Sequence, residues 1–408
     1  MKIAFFTHYT TLYGANRSLL NLIDGLKACG VEPYVIAPAE GDVTRALRER
    51  GVEFAIYSIQ WWVGKIEYIH SSPLDKVYRF AQYRYYALKR LYRNLRLIPL
   101  LEKQLKRWNV DLIYTNASVI PTGALVAIKL KLPHVWHMRE FIDLDYNFRH
   151  DWGKGIFNQL VGRADARIAI SKAIYAHLLD KLSPDRNNIV YNGVASISDF
   201  DRFREIKKLS IEKNEFFTFA IVGLVHPNKG QDVAIRALAS LTQQFLRVRL
   251  LIVGGGDSTY VKKLASELNI QDNVEFWGHV DDPYKAFMAA DAVLMCSKNE
   301  GMGRVTVEAM SACCPVIGYD NAGTSEIIRH GQTGLLYQGD FEALATQMQW
   351  CLENPDEIKQ IGENAWQFAR QKYSIETYAE EVYGVLSSVM KQKDTSSKRK
   401  RSLVKQRT

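Results

Sequence analysis

DAVLMCSKNEGMGRVTVEAMSACCPVIGYD, residues 291–320, reads as strand, loop, helix, strand. DAVLMCS is a continuous apolar run of strand length, and PVIGYD is a second one. Between them SKNEGMG, Ser297–Gly303, carries two glycines, and RVTVEAMSA, Arg304–Ala312, has helical spacing. Two buried strands joined through a helix run parallel, so the stretch predicts one unit of a doubly wound α/β sheet. The loop then falls at the carboxyl end of a parallel strand, where open sheets bind ligands. Its glycines let the backbone come close to a ligand, and the helix start favours an anion. Glu300 and Glu308 stand eight residues apart around this turn. The first can accept hydrogen bonds from sugar hydroxyls, and the second can accept the vicinal hydroxyls of a ribose.

The same alternation extends in both directions. Downstream of residue 215, FTFAIVGL, VRLLIVGGG and VEFWGHV are strands separated by helical patterns such as GQDVAIRALASLTQQF. Upstream, KIAFFTH, EPYVIAP, DLIYTNA, PHVWHMR, ARIAISK and NIVYNGV alternate with helices. The loop YTTLYGAN separates the first strand from its helix and carries Gly14. The polar run SDFDRFREIKKLSIEKNE interrupts the series, placing a boundary near residues 195–215. The chain of 408 residues therefore divides into two Rossmann-like doubly wound domains, 1–200 and 201–375, with ligands expected in a cleft between them. A C-terminal helix at 376–390 and a disordered basic tail at 391–408 are expected to follow.

Composition is that of a globular protein, 47% hydrophobic and 24% charged, with no run long enough to span a bilayer. MKIAFFTHYTT lacks the pattern of a signal peptide, so the reading is cytoplasmic. The five cysteines form no C-x-x-C pair, and their spacing to histidine suits no zinc site, so they are read as small buried hydrophobes. The net charge of +9 is concentrated in two places. Residues 391–408 hold eight Lys/Arg against one Asp. Residues 76–108 hold ten against one Glu, interleaved with Tyr78, Tyr83, Tyr85, Tyr86, Tyr92 and Trp108. Leucines at 88, 91, 95, 101 and 105 follow a helical period that Pro99 is expected to kink or break. Basic and aromatic residues together suit an anionic membrane surface better than nucleic acid, and the surface is peripheral to the inner face of the membrane in this reading.

The block SKNEGMGRVTVEAMSACCPVIGYDNAGTSEIIRHGQTGLL resembles the donor-site signature of retaining glycosyltransferases of the GT-B fold, glycosyltransferase family 4, also called group 1. Glu300, Glu308, Pro315, Gly323, Glu326, Gly331 and Gly334 fall on the Glu-x7-Glu pair, the following strand, the Gly-x-x-Glu segment and the final turn. VGLVHPNKGQDVAIRA resembles the family's phosphate-binding segment around Gly223 and Lys229, and the similarity extends over roughly residues 1–385. The resemblance implies that Lys229 pairs with a diphosphate, that Gly301, Met302 and Gly303 supply backbone donors, that the backbone at His279 contacts the base, and that Gly14 approaches the donor phosphate or the transferred sugar. The family usually has arginine where this chain has Leu224. Arg304, or failing it His226, then supplies the second cation. In PHVWHMREFID the family carries a catalytic histidine on the acceptor side. His137 is the favoured candidate, although an alignment from Pro133 places Arg139 there instead. Arg139 and Glu140 are read as acceptor contacts.

These parts imply a transferase that moves a sugar from a nucleoside diphosphate sugar to a glycan or lipid-linked acceptor in polysaccharide or lipopolysaccharide assembly. His137, Lys229 and Glu300 lie at the chemistry. The D-x-D triplets at Asp143–Asp145 and Asp199–Asp201 end no core strand, so neither a metal nor another cofactor is expected; Lys229 and the helix start would supply the charge instead. A Rossmann oxidoreductase would need G-x-G-x-x-G, which GGGDST at 254–259 does not complete. An epimerase on the same fold and a non-catalytic nucleotide-sugar binder remain alternatives.

Overall fold

The computed structural model describes residues 1–66, 72–144, 147–209 and 215–405. It divides into two compact units: residues 1–191 with 378–408, and residues 192–377.

In the first unit the strands are β1 (Lys2–Phe6), β2 (Glu32–Ala37), β3 (Glu53–Ile56), β4 (Val63–Gly64), β5 (Leu112–Thr115), β6 (His134–Met138), β7 (Arg149–His150), β8 (Ala166–Ala169) and β9 (Asn187–Ile189). The helices are α1 (Gly14–Ala28), α2 (Asp42–Glu49), α3 (Pro73–Trp108), α4 (Thr122–Leu130), α5 (Gly153–Val161) and α6 (Lys172–Leu178). Seven strands form one parallel sheet in the order β3-β2-β1-β5-β6-β8-β9, while β4 and β7 pair antiparallel. The order reverses direction between β1 and β5, which creates a switch point at their carboxyl ends. Ile3, Phe5, Leu112, Tyr114, Val135 and Ile168 are fully buried, as strands covered on both faces require.

The second unit contains β10 (Phe217–Val222), β11 (Val248–Val253), β12 (Val274–Gly278), β13 (Ala292–Met295), β14 (Val316–Tyr319) and β15 (Leu335–Tyr337). Its helices are α7 (Ile197–Leu209), α8 (Gln231–Leu241), α9 (Thr259–Glu267), α10 (Tyr284–Ala289), α11 (Arg304–Ser311), α12 (Ala322–Ile327), α13 (Phe341–Glu353) and α14 (Pro355–Lys372). All six strands are parallel, in the order β12-β11-β10-β13-β14-β15, with the switch point between β10 and β13. Residues 291–320 thus form β13–α11–β14, with β13 and β14 adjacent.

Three expectations about helices are corrected. The polar run is helical in its described first part, α7, because Phe200 and Phe203 bury one face, Phe203 stacking on Tyr284 at 3.9 Å between ring centroids; residues 210–214 lie outside the described residues. The domain change accordingly falls at residues 191/192, ahead of the polar run. Pro99 does not interrupt α3, which runs 36 residues from an N-cap at Ser72 to a left-handed C-cap at Asn109. The hydrogen bond that proline removes would have ended on Leu95, whose side chain is exposed, so water can serve that carbonyl. The basic tail is helical: α15 (Ile375–Lys405) continues past residue 391. Lys, Arg and Gln are good helix formers, and neither Gly nor Pro follows to stop the helix. Tyr378, Val382, Leu386 and Val389 recur on one face and are buried in the first unit's core, which returns the chain to that unit. Each such side chain contributes roughly 1.5–3 kcal/mol.

Among the described residues no helix is long and apolar enough to cross a membrane. Cys296, Cys314 and Cys351 are buried, and burial pushes the Cys296 thiol up to about 12.

Candidate active site

In the second unit the site grows from the end of β13. Cys296 and Ser297 are buried, and the loop from Lys298 to Gly303 leads into α11. Gly303 is its N-cap, with φ +74°, a conformation glycine adopts without steric cost. Two neighbouring turns hold the loop. Gly323 N–H donates to Glu300 O at 2.9 Å, and Asn321 Nδ2 donates to Lys298 O at 2.7 Å. A Cβ on Gly323 would lie 2.6 Å from both Gly301 O and Met302 Cα, so only glycine fits there. On the other side Gly230, φ +71°, lies so close to β13 that a Cβ would come within 2.7 Å of Cys296 Cβ. That approach delivers Lys229, whose Nζ pairs with Glu300 Oε1 at 2.5 Å.

What converges on Gly303 is suited to an anion. Among the described residues the main-chain N–H groups of Gly301, Met302 and Gly303 form no backbone hydrogen bond. The hydroxyls of Thr306 and Thr324 are buried and without a hydrogen-bond partner. A Cβ at Gly303 would lie 3.3 and 3.5 Å from those two oxygens. Buried polar groups are ordinarily satisfied, so two orphaned hydroxyls beside a helix N-terminus and a lysine mark a place for an oxyanion. Neither threonine stands out in the sequence.

Other expected residues fall as follows. Glu308, 6% exposed, pairs with Arg304 Nε at 2.8 Å. Arg304 also reaches the carbonyls of Gly193 and Val194 at 3.4 and 3.5 Å, so its charge serves Glu308 and the backbone before any phosphate. Met302 turns its side chain inward, where its sulfur accepts from Asn192 N and Nδ2 at 3.1 and 3.3 Å; only its main chain is placed to meet a ligand. Gly223, Gly254 and Gly278 close the ends of β10, β11 and β12, with Gly223 N bonded to Val253 O and Gly254 N to Gly278 O. A Cβ on Gly254 would fall 1.8 Å from Gly223 O. Leu224 is half exposed, and His226 is occupied locally, its Nδ1 accepting from Asn228 N. The His279 side chain is exposed, 3.8 Å from Asp281, so any base contact falls to its backbone. Of the aspartate triplets, Asp199 pairs with Arg202, Asp201 pairs with Arg370, and Asp143 bonds His177, while Asp145 lies outside the described residues.

In the first unit a second cluster sits at the carboxyl ends of β1 and β6. Arg139 is held on three sides: Nε donates to Asn116 Oδ1 at 2.8 Å, and Nη2 donates to Tyr378 Oη at 2.9 Å and to His137 Nδ1 at 3.1 Å. Arginine can only donate, so His137 Nδ1 is an acceptor and the ring proton sits on Nε2. Tyr114 Oη lies 2.6 Å from the same nitrogen. His137 is completely enclosed; burial, and then the Arg139 charge, hold its pKa well below the usual histidine range. It stays neutral and is closed to solvent, with Nδ1 turned to Arg139 and Tyr114. Glu140 Oε1 accepts from Ser118 N and Oγ at 2.9 and 2.8 Å, yet burial still raises its pKa. His8, at the end of β1, is likewise neutral: burial lowers its pKa to about 3, with Arg139 adding to the effect.

Gly14 is not on the loop. It is the first residue of α1, exposed. The helix starts early because buried Asn16 ties the loop down, its Nδ2 donating to Tyr9 O and Thr11 O at 2.9 and 2.8 Å.

Two family models match the chain. Residues 13–196 match Glycosyltransferase Family 4, and residues 201–368 match Glycosyl transferases group 1. The phosphatidyl-myo-inositol mannosyltransferase of Mycobacterium tuberculosis is 27% identical over 311 residues, 72% of this chain and 79% of its own. The N-acetyl-alpha-D-glucosaminyl L-malate synthase of Bacillus anthracis is 26% identical over 236 residues, 57% of this chain and 61% of its own. The crystal structure of Anabaena Alr3699/HepE in complex with UDP-glucose superposes with a TM-score of 0.73 at 23% identity, covering 95% of this chain and all of the other. The two family models span both parallel-sheet units: the chain belongs to the GT-B glycosyltransferases of the group 1, family 4 type.

Proposed function

We propose that this protein transfers a sugar, with retention of anomeric configuration, from a nucleoside diphosphate sugar to a lipid-linked glycan acceptor in cell-surface polysaccharide or lipopolysaccharide assembly. The observation that carries the donor half is the convergence of Lys229, the α11 N-terminus and the unpartnered hydroxyls of Thr306 and Thr324 around Gly303. As the glycosidic bond breaks, negative charge grows on the leaving phosphate, and fixed donors stabilise it there. Glu308 takes the ribose hydroxyls and Glu300 the sugar hydroxyls. No metal is needed, because the lysine and helix start supply the positive charge. The acceptor attacks from the face that the diphosphate leaves, and the departing phosphate takes its proton. Arg139 and Glu140 contact the acceptor, with His137 holding Arg139 in place. The solved relative carrying UDP-glucose makes uridine nucleotides the first donors to try.

A thermal-shift panel of nucleoside diphosphate sugars on the wild type and Glu308→Ala tests the donor site. A ligand at about 100 times its Kd stabilises the protein by about 2.7 kcal/mol. One nucleotide class should shift the wild type and lose most of its effect in the variant. Silence across the panel would sink the donor reading, and equal shifts in both proteins would sink the ribose role.

The acceptor half rests on α3. From Pro73 to Gln82 nearly every side chain is exposed, including Leu74, Val77, Tyr78 and Phe80; further on, Tyr85, Tyr86 and Tyr92 are exposed beside Lys89 and Arg93. Such a face suits anionic headgroups and interfacial apolar contact, which supports a peripheral role on the cytoplasmic side of the membrane. The mannosyltransferase relative, whose name specifies a phospholipid, favours the same acceptor class. The protein should float with anionic vesicles at low salt and be released as salt rises; remaining at the bottom of the gradient under both conditions would remove the membrane claim.

A further inference from the structure

We infer that a half-open cavity of about 310 Å³, lined by α3, α4, α5 and the loops carrying Trp61 and Trp152 in the first unit, receives the hydrocarbon chain of a lipid phosphate acceptor, with Arg163 at its edge for the phosphate. This rests on the reading above that the acceptor is lipid-linked. The volume lies at the lower end of the range for small-molecule sites, about 300–1,000 Å³. Trp61, Trp62, Leu91, Leu125, Trp152 and Leu160 form half of the wall.

Most residues with polar groups on the wall, Gln159 and Trp152 apart, have those groups committed elsewhere. Trp62 Nε1 donates to Ser118 O at 2.8 Å, and Trp61 Nε1 donates to His8 O at 2.9 Å. The Asn94 amide is used in both directions by the Gln60 backbone, at 2.9 Å each way. Both oxygens of Asp151 bond to Arg90. A sugar would need free donors and acceptors on such a wall. With these taken, the wall away from Gln159 and Arg163 presents mainly indole faces and aliphatic carbon, which suit a hydrocarbon. Gln159 and Arg163 are the exposed exceptions, and Arg163 makes no ion pair among the described residues. An anionic headgroup above an apolar chain matches that charge distribution.

Position supports the assignment. The bonds that orient Trp61 and Trp62 end on His8 and Ser118, and Ser118 in turn holds Glu140. The cavity is thus built onto the strand ends that carry the acceptor cluster. Leu91 lines it from α3, whose neighbouring Leu88, Tyr92 and Leu95 are exposed. A chain leaving a membrane along that helix reaches the cavity over apolar surface.

Titration calorimetry with decyl phosphate, well below its micelle concentration, tests this on the full chain. The wild type should bind it saturably at one site. Leu125→Trp and Ile156→Trp, two independent ways of filling the space, should each weaken binding at least tenfold. Arg163→Ala should weaken decyl phosphate several-fold but leave decanol unchanged. Absence of saturable binding overturns the proposal. So does undiminished binding by a filled variant that melts like the wild type. Loss on Tyr85→Ser/Tyr92→Ser with no loss on filling would also overturn it, assigning the chain to the α3 surface. UDP-induced thermal shifts measured on the same samples report on the donor site alone, so failure of the donor reading is distinguishable from failure of the cavity.

Discussion

Replacing Lys229 by alanine should lower kcat/KM for sugar transfer by about 10²–10³ while leaving the melting temperature nearly unchanged. The two halves of this expectation have separate causes. Lys229 is joined to the fold through its backbone: Gly230 packs against Cys296, and Lys229 N bonds His226 O at 2.8 Å. Its side chain, 40% exposed, pairs directly with Glu300 at the partly solvated surface. Exposed pairs of that kind contribute about 0–1 kcal/mol to stability. During transfer the same ammonium group faces a phosphate whose negative charge is growing. A fixed donor aimed at developing charge is worth about 10²–10³ in rate when removed. The expected signature is therefore a large kinetic loss on an intact fold, with arginine at 229 restoring part of it because charge is kept and geometry is not. Steady-state kinetics beside a melting curve checks it. A kcat/KM within threefold of wild type would show that Lys229 does not serve the leaving group, whatever its distance from Glu300.

The contrast between Lys229 and Thr306 shows what the sequence can reveal. Lys229, Glu300 and Glu308 were legible because each lies at a fixed offset from a glycine turn at the end of an apolar strand, and chain distance there translates into spatial distance. The parallel sheets were legible for the same reason: continuous apolar strands alternating with helices admit little else. Thr306 and Thr324 were not, because a threonine in the first turn of a helix is ordinary; only burial without a partner distinguishes these two. Nor was Tyr378, which closes on Arg139 from 239 positions away. Its role exists because α15 returns to the first unit, and the basic composition of the tail pointed to disorder. The depth of His137 was not legible either. Strand alternation correctly put it on the same face as Arg139, but alternation does not tell how deep a residue lies. The structure makes His137 the inner support and Arg139 the outer group.

Gly323→Ala should cost about 10- to 100-fold in nucleoside diphosphate affinity, although alanine is the better helix former by about 0.5–1 kcal/mol. Gly323 is the second residue of α12, and its φ lies outside the left-handed region, so the backbone accepts alanine without strain. The obstacle is space. The new methyl group would sit 2.6 Å from Gly301 O and Met302 Cα and 2.8 Å from Glu300 O, all main-chain atoms that no rotamer change can move aside. The loop must shift, and the hydrogen bond from Gly323 N to Glu300 O must lengthen with it. That displacement carries Glu300 and the N–H groups of Gly301–Gly303 away from the position that Lys229, Thr306 and Thr324 define. Misplacement of a binding constellation by about 1 Å is enough for a loss of about 10²-fold. Gly331→Ala provides the opposite case: φ is +73° with nothing within 4 Å, so alanine there is strained locally but touches no part of the loop. It should lower stability by about 1 kcal/mol and leave nucleotide affinity alone. Calorimetric titration of UDP into both variants separates the two effects. If Gly323→Ala binds within threefold of wild type, the loop tolerates displacement, and the claim that its position creates the anion site fails.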